Sequence, residues 1–303
     1  MGKNLPQRII FSNAAPVLNL ASVPNHSADK SKYGKLIHAD GNKEYINKEN
    51  LLSWLTKIIQ DRDIQTLYNV YDYDDNLQCN ECINELEPRE DFDSEAAYQC
   101  ALVEYEKNKP CRERDNNVLS EVSKKAQSLS QCFKYNFFIL SRANKAWLSR
   151  IPNMIFSEKI TCYYGKDENG IIDLQKCKPN TVHLYNATVH FFGKNIDKAQ
   201  DFVLMTGDNI RCDVGLVANC LLEGIASLAI LNTSHINKKY SDSEGEEQLK
   251  TCLSDNYFAK LKTDKVKLSY IPPVALTKNM AQLRELQCLI ITTLDKIKKD
   301  NLH

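Results

Sequence analysis

The fold is decided by residues 201–232, DFVLMTGDNIRCDVGLVANCLLEGIASLAILN, which hold the longest apolar run of the chain. Phe202–Met205 is short and apolar, which predicts a strand, and the Gly207-Asp208-Asn209 sequence behind it predicts a turn. Val214–Leu231 is interrupted by an asparagine, a glutamate and two glycines, so it is too polar to span a membrane. We expect it to form one buried core helix with Asp213 as its N-cap.

Three stretches before this run are rich in Ile, Val, Thr and Tyr and are separated by turn sequences such as the one at residues 167–170. This composition predicts successive antiparallel strands at Lys159–Tyr164, Ile171–Gln175 and Thr181–Phe192. A further strand is expected at Lys265–Ile271, stopped by two prolines. The predicted class is therefore α+β, with an antiparallel sheet or a small barrel of the oligonucleotide-binding type and packed helices.

The organisation of the chain is predicted from its composition. Residues 1–33 are rich in Asn, Ser and Pro and are expected to form an extended arm. Residues 34–121 form a region with the predicted helix Asn47–Ile59 and an acidic, cysteine-bearing, loop-rich part. Residues 122–303 are expected to begin with a basic helix and to continue as the α+β body, in one integrated globular unit with the preceding region.

The last predicted helix, residues 277–299, is amphipathic. Its apolar side chains recur at helical spacing and its lysines gather at the C-terminal end, where they suit the helix dipole. One apolar stripe is what a globular domain needs to cover its own sheet, and the same stripe suits pairing in a homo-oligomer. The stripe consists of Leu283, Leu286, Ile290, Leu294 and Ile297.

Charge is segregated although the formal net charge is zero. Residues 1–60 hold 8 Lys or Arg and 4 Asp or Glu, residues 61–121 hold 6 and 17, and residues 122–303 hold 25 and 18. An acidic middle thus lies between basic ends. Such a segment on a nucleic-acid-binding protein can compete with the ligand for a basic groove.

No acidic residue occurs between Val122 and Ser157, where basic residues alternate with aromatic ones. Cations that follow phosphates and rings that stack on bases are what a single-strand-binding surface requires. The alternative is a core helix whose rings face inward and whose cations are solvated. The predicted nucleic-acid-binding residues are Lys124, Lys125, Lys134, Tyr135, Arg142, Lys145, Trp147 and Arg150.

The acidic region holds candidate metal ligands. Cys79 and Cys82 have zinc-ribbon spacing, and Cys100 and Cys111 follow in the same region, so four thiolates could hold one structural zinc. The second pair is spaced too widely for a common ribbon, and free cysteines are the alternative. The aspartates after residue 71, at 72, 74 and 75, could hold a hard cation or form a solvated loop.

Features that the sequence lacks bear on the cellular compartment of the protein and on whether it is an enzyme. Eleven scattered cysteines and no apolar leader indicate an intracellular, non-secreted protein with reduced thiols and no membrane association. The sequence contains no phosphate-binding loop, dinucleotide fingerprint or nucleophile elbow. We therefore expect no enzymatic activity.

The chain resembles the single-stranded DNA-binding proteins of baculoviruses, which are large insect DNA viruses. The resemblance rests on Ser31–His38 (SKYGKLIH), on the Leu51–Leu55 segment (LLSWL) and on the strand-rich half after Lys159. It covers most of the chain and implies a role in viral DNA replication in the host nucleus. The cysteines have no counterpart in it.

Two classes of function follow as expectations. The first is a single-stranded nucleic-acid-binding protein, with DNA favoured by the resemblance. The alternative is a structural or capsid-type scaffold protein of a large DNA virus that packs through its C-terminal helix.

Overall fold

The computed structural model describes residues 32–60, 62–72, 89–103, 106, 125, 128–129, 132–142, 161–164, 175–234, 243–263 and 268–301. The strands in these residues are β1 (Lys35–Ile37), β2 (Lys43–Tyr45), β3 (Thr66–Tyr71), β4 (Lys134–Ser141), β5 (Thr161–Tyr164), β6 (Asp201–Gly207), β7 (Ala226–Asn232) and β8 (Val274–Thr277). The main helices are α1 (Lys48–Ile59), α2 (Thr181–Phe192), α3 (Gly215–Leu222), α4 (Ser243–Leu253) and α5 (Met280–Asn301).

The strands form one mixed sheet in the order β2-β1-β8-β7-β6-β3-β4-β5. The prediction of helices packed on a sheet is confirmed in this coarse form. The sheet is not antiparallel, however: the six strands from β8 to β5 are parallel, and antiparallel pairing occurs only at one edge, where β1 pairs with β8 and with β2. Among the described strands it is open, with β2 and β5 at its edges, so the barrel stays unconfirmed.

Burial explains why the central strands are parallel. Every residue of β3, β6 and β7 is buried, so both faces of these strands are covered. Parallel sheets occur almost only where helices cover both faces. Here α1 and α5 pack on one face, and α2, α3 and α4 pack on the other.

Two predicted elements are wrong, and a third is not found in the part of it that the structure describes. Thr181–Phe192 is the helix α2, because Asn180 caps its start and Gly193, with φ of 67°, ends it. The apolar run Val214–Leu231 is not one helix: a turn at Gly224, with φ of 81°, separates α3 from the buried strand β7. The expected strand before the two prolines is absent from the described residues 268–271, and β8 follows the prolines instead.

A further correction concerns the basic helix expected after residue 121. Lys134–Ser141 is the strand β4. Because most of this strand is buried, its sequence lacks the alternation of apolar and polar residues that indicates a half-exposed strand. The prediction at Asn47–Ile59 is confirmed as α1, in which Asn47 and Asn50 form a reciprocal capping box. Strands from residues 34–121 and 122–303 pair in this one sheet, and Ser31–His303 is one compact unit.

The predicted C-terminal helix is α5. All five residues of its predicted stripe are buried, and they belong to the apolar cluster between α1, α5 and the sheet. This stripe is therefore occupied by the chain's own sheet. None of the described helices is both long and apolar enough to cross a membrane.

A buried polar network fixes α5 on the sheet. The Tyr71 hydroxyl donates to Gln287 Oε1 at 2.6 Å, and Gln287 Nε2 donates to Thr206 Oγ1 at 3.1 Å. Asn69 Nδ2 donates to the hydroxyls of Tyr71 at 2.9 Å and Tyr135 at 2.7 Å. Because buried polar groups need partners, this network defines one position of the helix along β3, β4 and β6.

Leu286→Ala tests the role of α5 in the core. Leu286 is 0% exposed, so the substitution should lower the free energy of unfolding by about 2–5 kcal/mol. Lys296→Ala, on the exposed side of the same helix, should change it by less than about 0.5 kcal/mol. Urea unfolding measures both. Equal effects of the two substitutions would contradict the packing described here.

Candidate functional site

The sheet reverses its strand order between β3 and β6. From β3 the chain adds β4 and β5 on one side, and it then returns through α2 to add β6, β7 and β8 on the other. Counted along the chain, the six parallel strands lie in the order 3-2-1-4-5-6 of doubly wound sheets. Such sheets bind ligands outside the carboxyl ends of the strands at this point of reversal.

Charged side chains meet at this point. Asp72 follows β3, Asp208 follows β6, and Asp213 lies in the helical turn before α3. One carboxylate oxygen of each lies within 4.8 Å of the other two. Lys178, which precedes α2, places its Nζ 2.8 Å from Asp72 Oδ1 and 2.6 Å from Asp213 Oδ1. The reversal therefore carries three carboxylates and one ammonium group.

The turn after β6 holds Asp213 in place. Asn209 donates its backbone N–H to Asp213 Oδ2 at 3.0 Å, and its side chain accepts from the backbone N–H of Cys212 at 3.1 Å. A Cβ at Gly207 would overlap the Asp213 carboxylate, so only glycine fits there. The end of β6 is thus shaped around this buried carboxylate.

Lys178 is held from two helices. Its backbone N–H donates to Nδ1 of the buried His183 on α2 at 3.2 Å. On α3, Asn219 Nδ2 donates to the carbonyl oxygen of Pro179 at 2.6 Å. Because α2 and α3 are both packed on the sheet, the Lys178 ammonium group has little freedom to leave the carboxylates.

Burial and the neighbouring charges together set the pKa values of Lys178 and Asp213. Burial lowers the pKa of Lys178, but Asp213 and Asp72 outweigh it, so the net pKa is raised and the lysine stays charged. Burial and the charge of Asp72 raise the pKa of Asp213 to about 7, although Lys178 acts against them. Two carboxyls thus share one cation, and one of them keeps a proton close to neutral pH.

The chemistry of the site is that of hydrogen-bond acceptors. Carboxylates accept hydrogen bonds from hydroxyl and amino groups, and they repel phosphate. Residues 72, 74 and 75 are aspartates, and no glycine occurs between Tyr71 and Gly165, so β3 lacks the glycine-rich turn that cradles a pyrophosphate. Burial raises the pKa of the neighbouring Cys212 thiol, which keeps it protonated and weakly nucleophilic.

Only four of the predicted nucleic-acid-binding residues are described, and these four do not all lie together. Lys134 begins β4 and Arg142 follows its end, so they lie about 26 Å apart at about 3.3 Å per residue. Tyr135 packs against the α5 side of the core and accepts a hydrogen bond from Asn69, and Lys125 is partly buried in a helical turn. The remaining predicted residues lie outside the described part of the chain: Lys124, Lys145, Trp147 and Arg150.

The predicted metal ligands have a similar outcome. Cys79, Cys82 and Cys111 lie outside the described residues, and Cys100 is described as an exposed free thiol. The zinc site therefore stays a prediction. The suggestion of a hard cation at Asp72 has a structural counterpart, because the described residues place Asp208 and Asp213 beside it.

The sequence patterns did not reveal these residues as one group. They indicated a turn at Asp208 and a helix start at Asp213, and they gave no role to Lys178. The available signal was positional: aspartates follow two buried strands, Thr66–Tyr71 and Asp201–Gly207. Only parallel pairing of these strands brings their ends together, and the antiparallel expectation concealed it.

Asp213→Asn tests the raised pKa. The folded protein binds this proton more tightly than the unfolded chain, so the proton adds stability that is complete below about pH 4 and is lost as pH rises through about 7. This contribution to the free energy of unfolding should therefore be lost across this range, and the Asp213→Asn protein should lack it, which makes its pH slope differ from that of the unaltered chain. Urea unfolding at several pH values measures it. Asp255→Asn, on an exposed helical surface, is the control, and matching slopes for all three proteins would refute the assignment.

Similarity to known proteins assigns no family to this chain. No protein-family model, curated protein or solved structure matches it. The function has to be argued from the geometry of the site itself.

Proposed function

We propose that this chain binds a nucleoside or a similar polyhydroxylated ligand at the carboxyl edge of its sheet, between β3 and β6. The observation that carries the proposal is the buried Lys178 between Asp72 and Asp213 at the point of strand reversal. Removing such charges from water costs more than their attraction usually returns, so a buried triad is weak support for stability alone. Its position, where doubly wound sheets bind their ligands, supports a binding role.

The ligand class follows from the charges. Asp72 and Asp208 present carboxylates where a ligand enters, and vicinal hydroxyls of a ribose donate well to carboxylates. A dinucleotide fits poorly, because no glycine-rich turn follows β3 and its pyrophosphate would meet the carboxylates of Asp72 and Asp208.

Adenosine is the first ligand to test. It carries vicinal hydroxyls and no phosphate, so it should raise the melting temperature, whereas ATP should raise it less. Asp208→Asn should weaken adenosine binding about 10-fold or more, because a hydrogen bond to a charged group contributes about 1.5–3 kcal/mol. Isothermal titration calorimetry measures the affinity.

Asp63→Asn is the matched control, since Asp63 precedes β3 at the opposite edge and its side chain is 71% exposed. It should leave adenosine binding unchanged. An Asp208→Asn protein that is folded and binds adenosine as the unaltered chain does would refute the proposed site.

Single-stranded nucleic-acid binding remains a second candidate, supported by cations at the amino edge of the sheet. Lys125 and Lys299 both act on Asp295 of α5, and Lys298 lies over the ring of Phe133. Lys134, the next residue, is exposed. Cations that can follow successive phosphates are one element of a single-strand path, although the Phe133 ring itself is buried and does not offer a face to a base. A nuclear role in viral DNA replication belongs to this candidate and rests on the sequence resemblance.

Oligonucleotide binding at increasing salt tests this candidate. Binding should be tighter to an unpaired oligonucleotide than to a duplex, and Lys134→Met with Lys299→Met should reduce the salt slope by about two units, one for each phosphate contact. Lys250→Met, on α4, should leave the slope unchanged. Equal binding to duplex, or an unchanged slope in the double variant, argues against a nucleic-acid surface at this edge.

A further inference from the structure

A pocket of about 470 Å³ lies at the edge of the sheet opposite the carboxylate site. It opens where α1 and α5 end and where the chain enters β3 and β4. Its size is within the range of small-molecule sites. Apolar walls come from Ile64, Phe133, Leu294 and Ile297. The charged residues that line the pocket are Arg62, Lys298 and, with an exposed carboxylate, Asp63.

Lys298 is held mainly by uncharged acceptors. Its Nζ donates to the carbonyl oxygen of Ile64 at 2.9 Å and to Gln65 Oε1 at 3.0 Å, and it lies 5.3 Å from the ring centre of Phe133. The carboxylate of Asp63 is 3.9 Å away and its side chain is 71% exposed, so water screens that attraction. An ammonium group has three donors, and these two hydrogen bonds leave its charge largely uncompensated.

Arg62 is also held by uncharged acceptors. Its Nη1 donates to the carbonyl oxygen of Ile58 at 2.9 Å, and its Nη2 donates to that of Gly224 at 3.2 Å. The guanidinium has five donors, so it keeps donors beyond these bonds. The pocket therefore combines two cations of incompletely neutralised charge with an apolar wall.

We infer that this pocket binds a small organic anion with an apolar body, such as a medium-chain fatty carboxylate. The carboxylate meets Lys298 and Arg62, and the hydrocarbon lies against Ile64, Leu294 and Ile297. A nucleobase fits less well, because Lys298 covers a face of the Phe133 ring on which the base would stack. This site is separate from the proposed nucleoside site, which lies at the other end of the same strands.

A comparison of octanoate with octanol separates the contribution of the ligand's charge from that of its hydrocarbon chain. Octanoate should bind with 1:1 stoichiometry in isothermal titration calorimetry, and octanol, which lacks the charge, should bind about 10-fold or more weakly. Lys298→Met keeps an apolar side chain without the charge, and it should reduce octanoate affinity to that of octanol. Lys296→Met, exposed on the same helix, should bind octanoate as the unaltered chain does.

Methyl NMR of the unaltered chain locates the ligand without any substitution. Octanoate should shift the methyl signals of Ile64, Leu294 and Ile297 and leave those of Ile230, on β7, in place. Equal affinity for octanol and octanoate, full binding by a folded Lys298→Met protein, or shifts confined to other methyl groups would each overturn the inference.

Discussion

The structure depends on the placement of β3, a strand from the first quarter of the chain, at the centre of a parallel sheet. All six of its residues are buried, and β4 and β6 pair with it in the same direction. Parallel neighbours cannot be joined by tight turns, so the chain must cross the sheet between them, and the crossing helices α2, α3 and α4 cover one face while α1 and α5 cover the other. The two apolar clusters, one on each face, follow from this arrangement.

The same arrangement produces the candidate site. Parallel strands end at one edge, and the reversal of order at β3 leaves a crevice there between β3 and β6. Asp72 and Asp208 come to that crevice as the residues that follow their strands. Asp213 and Lys178 come from the segments before α3 and α2. The charged group thus draws on residues far apart in sequence, and the topology is what joins them.

Local signals in the sequence predicted some elements well. The helix at Asn47–Ile59 and the apolar stripe of α5 depend on residues within one or two helical turns, which single-sequence patterns record. The strand around Phe202–Met205 was also predicted, because it is short, apolar and followed by a turn. These elements supply most of the buried side chains in the apolar cluster on the face covered by α1 and α5.

The remaining elements depend on tertiary context. Thr181–Phe192 is rich in β-branched and aromatic residues, yet caps at both ends and packing on the sheet make it a helix. Ala226–Asn232 continues the apolar run of α3 without a change in composition, so only the glycine turn marks the strand. The site was missed for the same reason, since the direction of pairing between β3 and β6 has no local signal.

The central claim is that the crevice between β3 and β6 is a ligand site, and hydrogen–deuterium exchange with and without adenosine tests it most directly. Binding there should slow the exchange of backbone amides in residues 206–214, which form the end of β6 and the turn around Asp213. Amides in residues 59–65, at the opposite edge of the sheet, should exchange at unchanged rates. Slower exchange at residues 59–65 alone, or no change anywhere at saturating adenosine, would contradict the account.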